Sequence, residues 1–339
     1  MPKQRWKNRP EGANWGDFGA DDQRGRINLL TPERVRRAAQ EIREGLSFCL
    51  SLPLTLPGKQ VLNNRRKPPQ FHGVDREGRA SFDLPLKEID PLHTDVVCDD
   101  AVTLYLQYST QWDSLCHIGS HFDADGDGVP ERVYYNGWNV RDPSTGKPIY
   151  GEVGAYALGI HNMAESGVQG RGVMIDLHAH YGDERHHVNY EDLMRIMETD
   201  NVAVEEGDML CLHSGLGQMI MDMRGDPDPK VRTACPVLDS TDRRLLRWVE
   251  ESGIVVIASD ALAVEQSTQL PREMHAPGPV LPLHELCLFK LGIHLGELWY
   301  LSELARWLRA HKRSRFILTA PPLRLPGAAG SPATPVATV

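Results

Sequence analysis

Ile254-Val-Val-Ile-Ala258 is an apolar run with no polar break. A run this short and uniform reads as a strand covered on both faces, as in a buried, largely parallel sheet. It does not stand alone. Val173–Leu177, Met209–Leu212 and Phe316–Thr319 are further strand candidates, and helical stretches separate them. Thr31 and Pro32 open a helix that Gly45 stops. Asn189 is placed to cap a helix over residues 190–199, and Ser240 or Thr241 one that ends before Gly253. His284–Leu291 also reads as helical. This alternation predicts an α/β (mixed α+β) fold with a central sheet and flanking helices.

Phe48–Leu54 reads as an early strand. Residues 55–95 are rich in Pro, Arg, Lys and Gly and read as a surface excursion or lid. Val102, Leu104, Leu106 and Tyr108 alternate, which predicts a half-buried strand. The tail Pro326–Val339 is low in complexity and is expected on the surface or against a partner subunit. Residues 1–325 are then one domain. A length of 339 residues is compatible with that.

The formal net charge of −9 argues against a general nucleic-acid or membrane-surface binder. No apolar run approaches the roughly 20 residues that span a bilayer. The six cysteines are scattered without a C-x-x-C pair, so neither a disulfide framework nor a zinc ribbon is indicated. The N-terminus has no apolar signal core. A cytoplasmic protein with a small-molecule substrate is the expectation.

Chemistry concentrates in Thr110–Gly128, TQWDSLCHIGSHFDADGDG. It holds three overlapping ligand patterns. Gln111 and Asp113 are two apart and share a face of an extended chain. With His117 beyond a bend, they offer an amide oxygen, a carboxylate and an imidazole to one ion or its water. Such an ion lowers the pKa of bound water toward about 7, and His117 can move the protons. His121 and Asp123 form a second pattern with His117 that suits zinc or manganese. Asp123, Asp125 and Asp127, followed by Gly128, resemble the start of a Ca²⁺ loop, but the twelfth position is Tyr134 rather than Glu. A non-catalytic, Ca²⁺-stabilised binding protein is therefore a rival reading. His178 and His180 are spaced to share a strand face, suited to chelation or substrate contact. Trp15, Trp112, Tyr134, Tyr135 and Trp138 are candidate walls for an aromatic substrate.

The chain resembles the metal-dependent cyclase family, which includes bacterial kynurenine formamidase and isatin hydrolase. The family signature is H-x-G-T-H-x-D-x-P-x-H, and Gln107–His117 aligns with it without a gap. Thr110, Asp113 and His117 match. Gln107 and Gln111 replace the two metal-binding His residues, and Leu115 replaces Pro. Asn14-Trp15-Gly16, Asp21-Asp22, Gly25 and Asn28-Leu-Leu-Thr-Pro32 resemble a longer subgroup with T-Q-W-D…H. Ser259-Asp260, His284 and Gly292…Glu297-Leu resemble later landmarks.

The resemblance implies a mixed, barrel-like sheet of the swivelling β/β/α type, usually in a homodimer or homotetramer. It implies Asp113, Gln111, His284 and Glu297 as metal ligands, with His121 and Asp123 as alternatives, and His117 as the proton shuttle. Losing two imidazoles shifts the expected ion from Zn²⁺ toward Mn²⁺ or Mg²⁺. The implied activity is hydrolysis of a small cyclic or aryl amide or imide. The alternative is a lactone, as for trans-dienelactone hydrolase.

Overall fold

The computed structural model describes residues 4–266 and 278–339. A nine-stranded mixed sheet, curled into a half-barrel, organises them. Its strands are β1 (Ser47–Cys49), β2 (Gln111–Asp113), β3 (Gln169–Asp176), β4 (Met209–His213), β5 (Val256–Ser259), β6 (His294–Glu297), β7 (Arg315–Thr319), β8 (Gly330–Pro332) and β9 (Val336–Thr338). Their spatial order is β1-β9-β7-β3-β4-β5-β6-β2-β8. β3, β4, β5 and β6 run parallel, and antiparallel pairings complete both sides. Parallel strands buried on both faces explain the unbroken apolar run: Ile254 to Ala258 are all at 0% exposure.

Helices flank the sheet. α1 (Pro32–Ala38) takes its cap from Thr31, whose hydroxyl accepts from Arg34 N–H. It ends well before Gly45. α2 (Tyr190–Thr199) is capped by Asn189, as the sequence predicts. α3 (Leu216–Asp222) follows β4 directly. α4 (Arg243–Glu251) is capped by Asp242 rather than Ser240 or Thr241, because Asp239 holds Thr241 in the preceding turn. α5 (Ser302–Ala310) leads into β7. Among the described residues, no helix is long and apolar enough to cross a membrane.

Three local expectations need correction. The early strand is shorter than Phe48–Leu54: it stops at Cys49, and only Ser51 bridges onward to Trp299. The alternating stretch from Val102 to Tyr108 is not a buried strand. Asp100–Thr103 pairs with Gln70–Gly73 in an exposed two-stranded ribbon of the excursion, and the chain then turns at Tyr105–Tyr108. Of the alternating residues only Val102 is in that ribbon, and Tyr108 is buried beyond it.

The tail is not a surface coil. β8 and β9 lie within the sheet, and Ser331, Ala337 and Val339 are buried. Small side chains let this backbone pack closely, and Pro332 sits on an edge strand where a missing N–H is tolerated.

Candidate metal centre

β2 sorts its three residues by alternation. Trp112 points to one face, where it packs at 4.9 Å against Trp299 and donates to the Ala320 carbonyl. Gln111 and Asp113 point to the other face. β6 runs antiparallel beside them, with Glu297 directly opposite Gln111. Such cross-strand partners lie within side-chain reach. Gln111 Nε2 donates to Glu297 Oε2 at 3.1 Å, and its distance to Asp113 Oδ1 is 3.5 Å.

His284 reaches the same point from the segment before β6. It ends a short helical turn, Pro282–His284, that continues as a π-helix over Glu285–Leu291. The expected helix is thus present with a wider winding, a form frequent at functional sites. His284 Nε2 lies 3.2 Å from Glu297 Oε1 and 3.9 Å from Asp113 Oδ2. Ligand-type atoms of Asp113, His284 and Glu297 all lie within 4.8 Å of one another, and all three residues are buried.

A supporting layer holds this trio. Glu265 accepts the His284 Nδ1–H at 2.7 Å and the backbone N–H groups of Leu283 and His284. A carboxylate on the far nitrogen fixes the ring orientation of a metal-binding His. His294 donates from Nδ1 to the Asp113 carbonyl at 3.0 Å. Burial pulls its pKa down to about 4, so the ring is neutral. Glu265 stands in no recognisable motif, and the sequence reading missed it. The only available cue was the general need of such a His for a carboxylate.

The electrostatics describe a site prepared for positive charge. Burial, with Glu297 alongside, holds the Asp113 carboxyl above the usual carboxylate range. Burial also opposes ionisation of Glu297, but its hydrogen bond to His284 and the charges of His284 and Arg66 together outweigh that and hold it below its ordinary value. Burial disfavours the His284 imidazolium, yet bonds to Glu265 and Glu297 push its pKa up to about 10. Two buried oxygens, Gln111 Oε1 and Asp113 Oδ2, have no hydrogen-bond partner. Buried acceptors are rarely left so without an ion or water. A divalent cation fits: it would take the orphaned oxygens and the charge that the His284 proton now supplies.

His117 sits at the open side. The turn made by its N–H to the Ser114 carbonyl swings it back, and Nε2 lies 3.8 Å from Asp113 Oδ1 with a fifth of the side chain exposed. Arg66, from the excursion, donates to the Gln107 carbonyl and acts electrostatically on Asp113 and Glu297. Gln107, at a family His position, turns its amide toward Gly330 rather than into the trio.

Other candidates lie elsewhere. His121 is exposed on the hairpin Ser120–Phe122/Glu131–Val133 and does not join the trio. Asp123 groups with Asp125 and Glu131. Asp123 accepts N–H groups of Gly126, Asp127 and Gly128, and Glu131 Oε1 those of Ala124 and Asp125, so the loop closes on its own backbone with only Glu131 Oε2 unpartnered among its buried oxygens. Asp127 accepts from Val129 N–H in the same turn.

His178 and His180 lie on a helical turn, not a strand, and are tied to Asp183 and Asp200. Trp15, Trp112 and Tyr135 are at most 1% exposed. Trp15 packs edge-on to Trp6, Phe122 and Phe289, and Tyr135 bonds Asp22. They are core residues, because large rings bury wherever the interior can take them. Tyr134 and Trp138 are only partly buried against the same core.

The family profile described as "Putative cyclase" matches residues 49–266. The chain belongs to the cyclase family. A crystal structure described as a novel cyclase is 30% identical, with a TM-score of 0.74 over 96% of this chain and 99% of its own. Isatin hydrolase A from Ralstonia solanacearum is 13% identical, with a TM-score of 0.54 over 89% and 93%. An isatin hydrolase bound to the product analogue thioisatinate is also 13% identical, with a TM-score of 0.55 over 89% and 94%. The last two share the fold. A comparison with curated proteins returns no match.

Proposed function

We propose that this cyclase-family protein is a metal-dependent hydrolase that opens or cleaves a small cyclic or aryl amide or imide. The carrying observation is the buried trio Asp113, His284 and Glu297, with Gln111 Oε1 and Asp113 Oδ2 left unpartnered beside it. Asp113, His284, Glu297 and Gln111 would hold the ion. Three oxygen donors and one imidazole favour Mn²⁺ or Mg²⁺ over Zn²⁺. When bound, such an ion supplies Lewis acidity and makes water acidic near neutral pH.

The chain's own residues do the rest. Glu265 holds the His284 ring and its tautomer. His117, on the open side and within reach of Asp113, takes a proton from the attacking water and returns it to the leaving nitrogen. A lactone of the trans-dienelactone hydrolase type is the alternative substrate, and its leaving alkoxide needs the same proton. Assembly as a homodimer or homotetramer and a cytoplasmic location belong to this reading. The Ca²⁺-stabilised alternative rests on Asp123, Asp125 and Asp127, whose carboxylates already accept backbone N–H groups.

Elemental analysis of protein purified without chelators, joined to turnover of cyclic amides, imides and lactones, tests the reading. Mn²⁺ or Mg²⁺ is expected with the wild type, ahead of Zn²⁺. His117→Ala should keep the ion and lose about 10²–10⁴-fold in turnover. Full activity in that variant, or Ca²⁺ as the sole ion, sinks it.

A further inference from the structure

A cavity of about 830 Å³ is lined in part by Glu265, the residue that accepts the His284 Nδ1–H. Arg65, Arg185 and Arg232 line it, together with apolar side chains such as Leu62, Leu216 and Val231. Its acidic wall residue is Glu265, whose oxygens are taken up by His284 and the backbone. Among the described residues, no carboxylate pairs with any of the three arginines. Arg185 donates to the Arg232 carbonyl at 3.0 Å, Arg65 to Asn63, and Arg232 to the Val61 carbonyl. Arg185 is half-buried, and burial pulls its pKa down. A charge withdrawn from water without a counter-ion is costly, and a guanidinium fork matches a carboxylate with two parallel bonds.

The cavity also shares part of its wall with a cleft whose Arg66 acts electrostatically on Asp113 and Glu297. Leu62, Asn63 and Leu262 face both it and a narrow cleft lined by Arg66, Gln107 and Leu298, and Leu298 follows Glu297 in the chain. We propose that Arg185 and Arg232 bind a carboxylate carried by the substrate, so that the enzyme acts on anionic, carboxylate-bearing amides or lactones. The apolar walls suit an organic body behind the carboxylate rather than a bare inorganic anion. This inference rests on the hydrolase reading for the chemistry, but not for the anion site itself.

The test compares benzoate with its uncharged isostere benzamide, by calorimetry, on EDTA-treated and on Mn²⁺-loaded full-length protein, with inorganic phosphate as a third ligand. In both forms benzoate should bind at least about tenfold tighter than benzamide. Arg185→Gln and Arg232→Gln should each remove most of that preference with thermal melting unchanged. Arg185→Lys should keep part of it, because a point charge lacks the fork. On the metal-loaded enzyme, 5-carboxyphthalide should be opened with a lower KM than phthalide, and Arg185→Gln should raise KM for the acid alone.

Equal binding of benzoate and benzamide, a preference untouched by both glutamine variants, or tighter binding of phosphate overturns the proposal. The two readings fail separately. Arginine-dependent benzoate binding in a protein that takes no metal supports the anion site and defeats the hydrolase. Metal and His117-dependent turnover with no arginine effect does the reverse.

Discussion

Two buried groups of carboxylates around a histidine sit at strand ends of the same sheet, and only one is finished. In the first, His213 at the end of β4 donates to Asp176 at 2.8 Å and meets the Ser302 hydroxyl at 3.0 Å. Asp176 also accepts from Ala179 N–H and Arg309. Asp260, just past β5, accepts N–H groups of Ser214, Gly215 and Gly217 at the start of α3. Every carboxylate oxygen there has a partner. In the second, Asp113, Glu297 and His284 assemble with Gln111, and two oxygens have none. Residue types are nearly the same in both. What separates a brace from a ligand site is whether the protein alone completes the hydrogen bonds.

Exchanging the central histidine in each group should give opposite results. His284→Asn is expected to abolish turnover. Its loss of metal affinity should exceed the roughly 10- to 100-fold typical of a supporting residue. His213→Asn leaves Asp176 and Asp260 without their shared partner and should destabilise the fold by about 3–5 kcal/mol, with metal retained in the folded fraction. Metal analysis and urea titration of both variants decide the matter. Loss of metal in the His213 variant, or metal retained at wild-type affinity in the His284 variant, would erase the distinction.

The difference between the groups was only half visible in the sequence. Alternation alone puts Gln111 and Asp113 on one face and Trp112 on the other, and the frame around Thr110–His117 points to the family. The apolar run of β5 and the Asn189 cap are equally local signals, and they appear where expected. Glu265 gives no such signal, because its role depends on a partner 19 positions away. The tail gives a misleading one: its small residues read as linker, although smallness is what lets β8 and β9 pack into the sheet. Aromatic residues mislead for another reason. Trp15 and Tyr135 have the chemistry of a substrate wall, but burial claims them first. His178 lies beside the brace, with its ring 5.4 Å from that of His213.

A gentler probe sits one residue behind the metal centre. Glu265→Gln keeps the shape at His284 Nδ1 but removes the charge that orients and enriches the ring. Metal affinity should fall by about 10- to 100-fold, and turnover measured at saturating metal should largely recover. The paired change at the brace, Asp260→Asn, should leave metal affinity where it is. A competition titration against a chromogenic chelator reads both values. Unchanged affinity in Glu265→Gln would mean that His284 needs no such support.

The smallest expected effect is in the pH dependence of the finished group. Burial works against the charged forms of both His213 and Asp176, but their mutual bond, together with Asp260 beside His213 and Arg309 beside Asp176, outweighs it: His213 is raised above its usual value and Asp176 is lowered to about 2. The Asp176 contribution is therefore present above its unfolded pKa, near 4, and is lost as pH falls from there toward about 2. The His213 contribution is full below about 6.5, and is lost as pH rises from there through its raised folded value. Linkage puts the Asp176 loss on the acid flank at about 2 kcal/mol. Urea unfolding of chelated protein across this range should show wild-type stability declining above neutrality relative to His213→Gln, in which that decline is missing. Parallel profiles for the two proteins would mean that the imidazole is uncharged, and that Asp176 and Asp260 are held by the backbone and Arg309 alone.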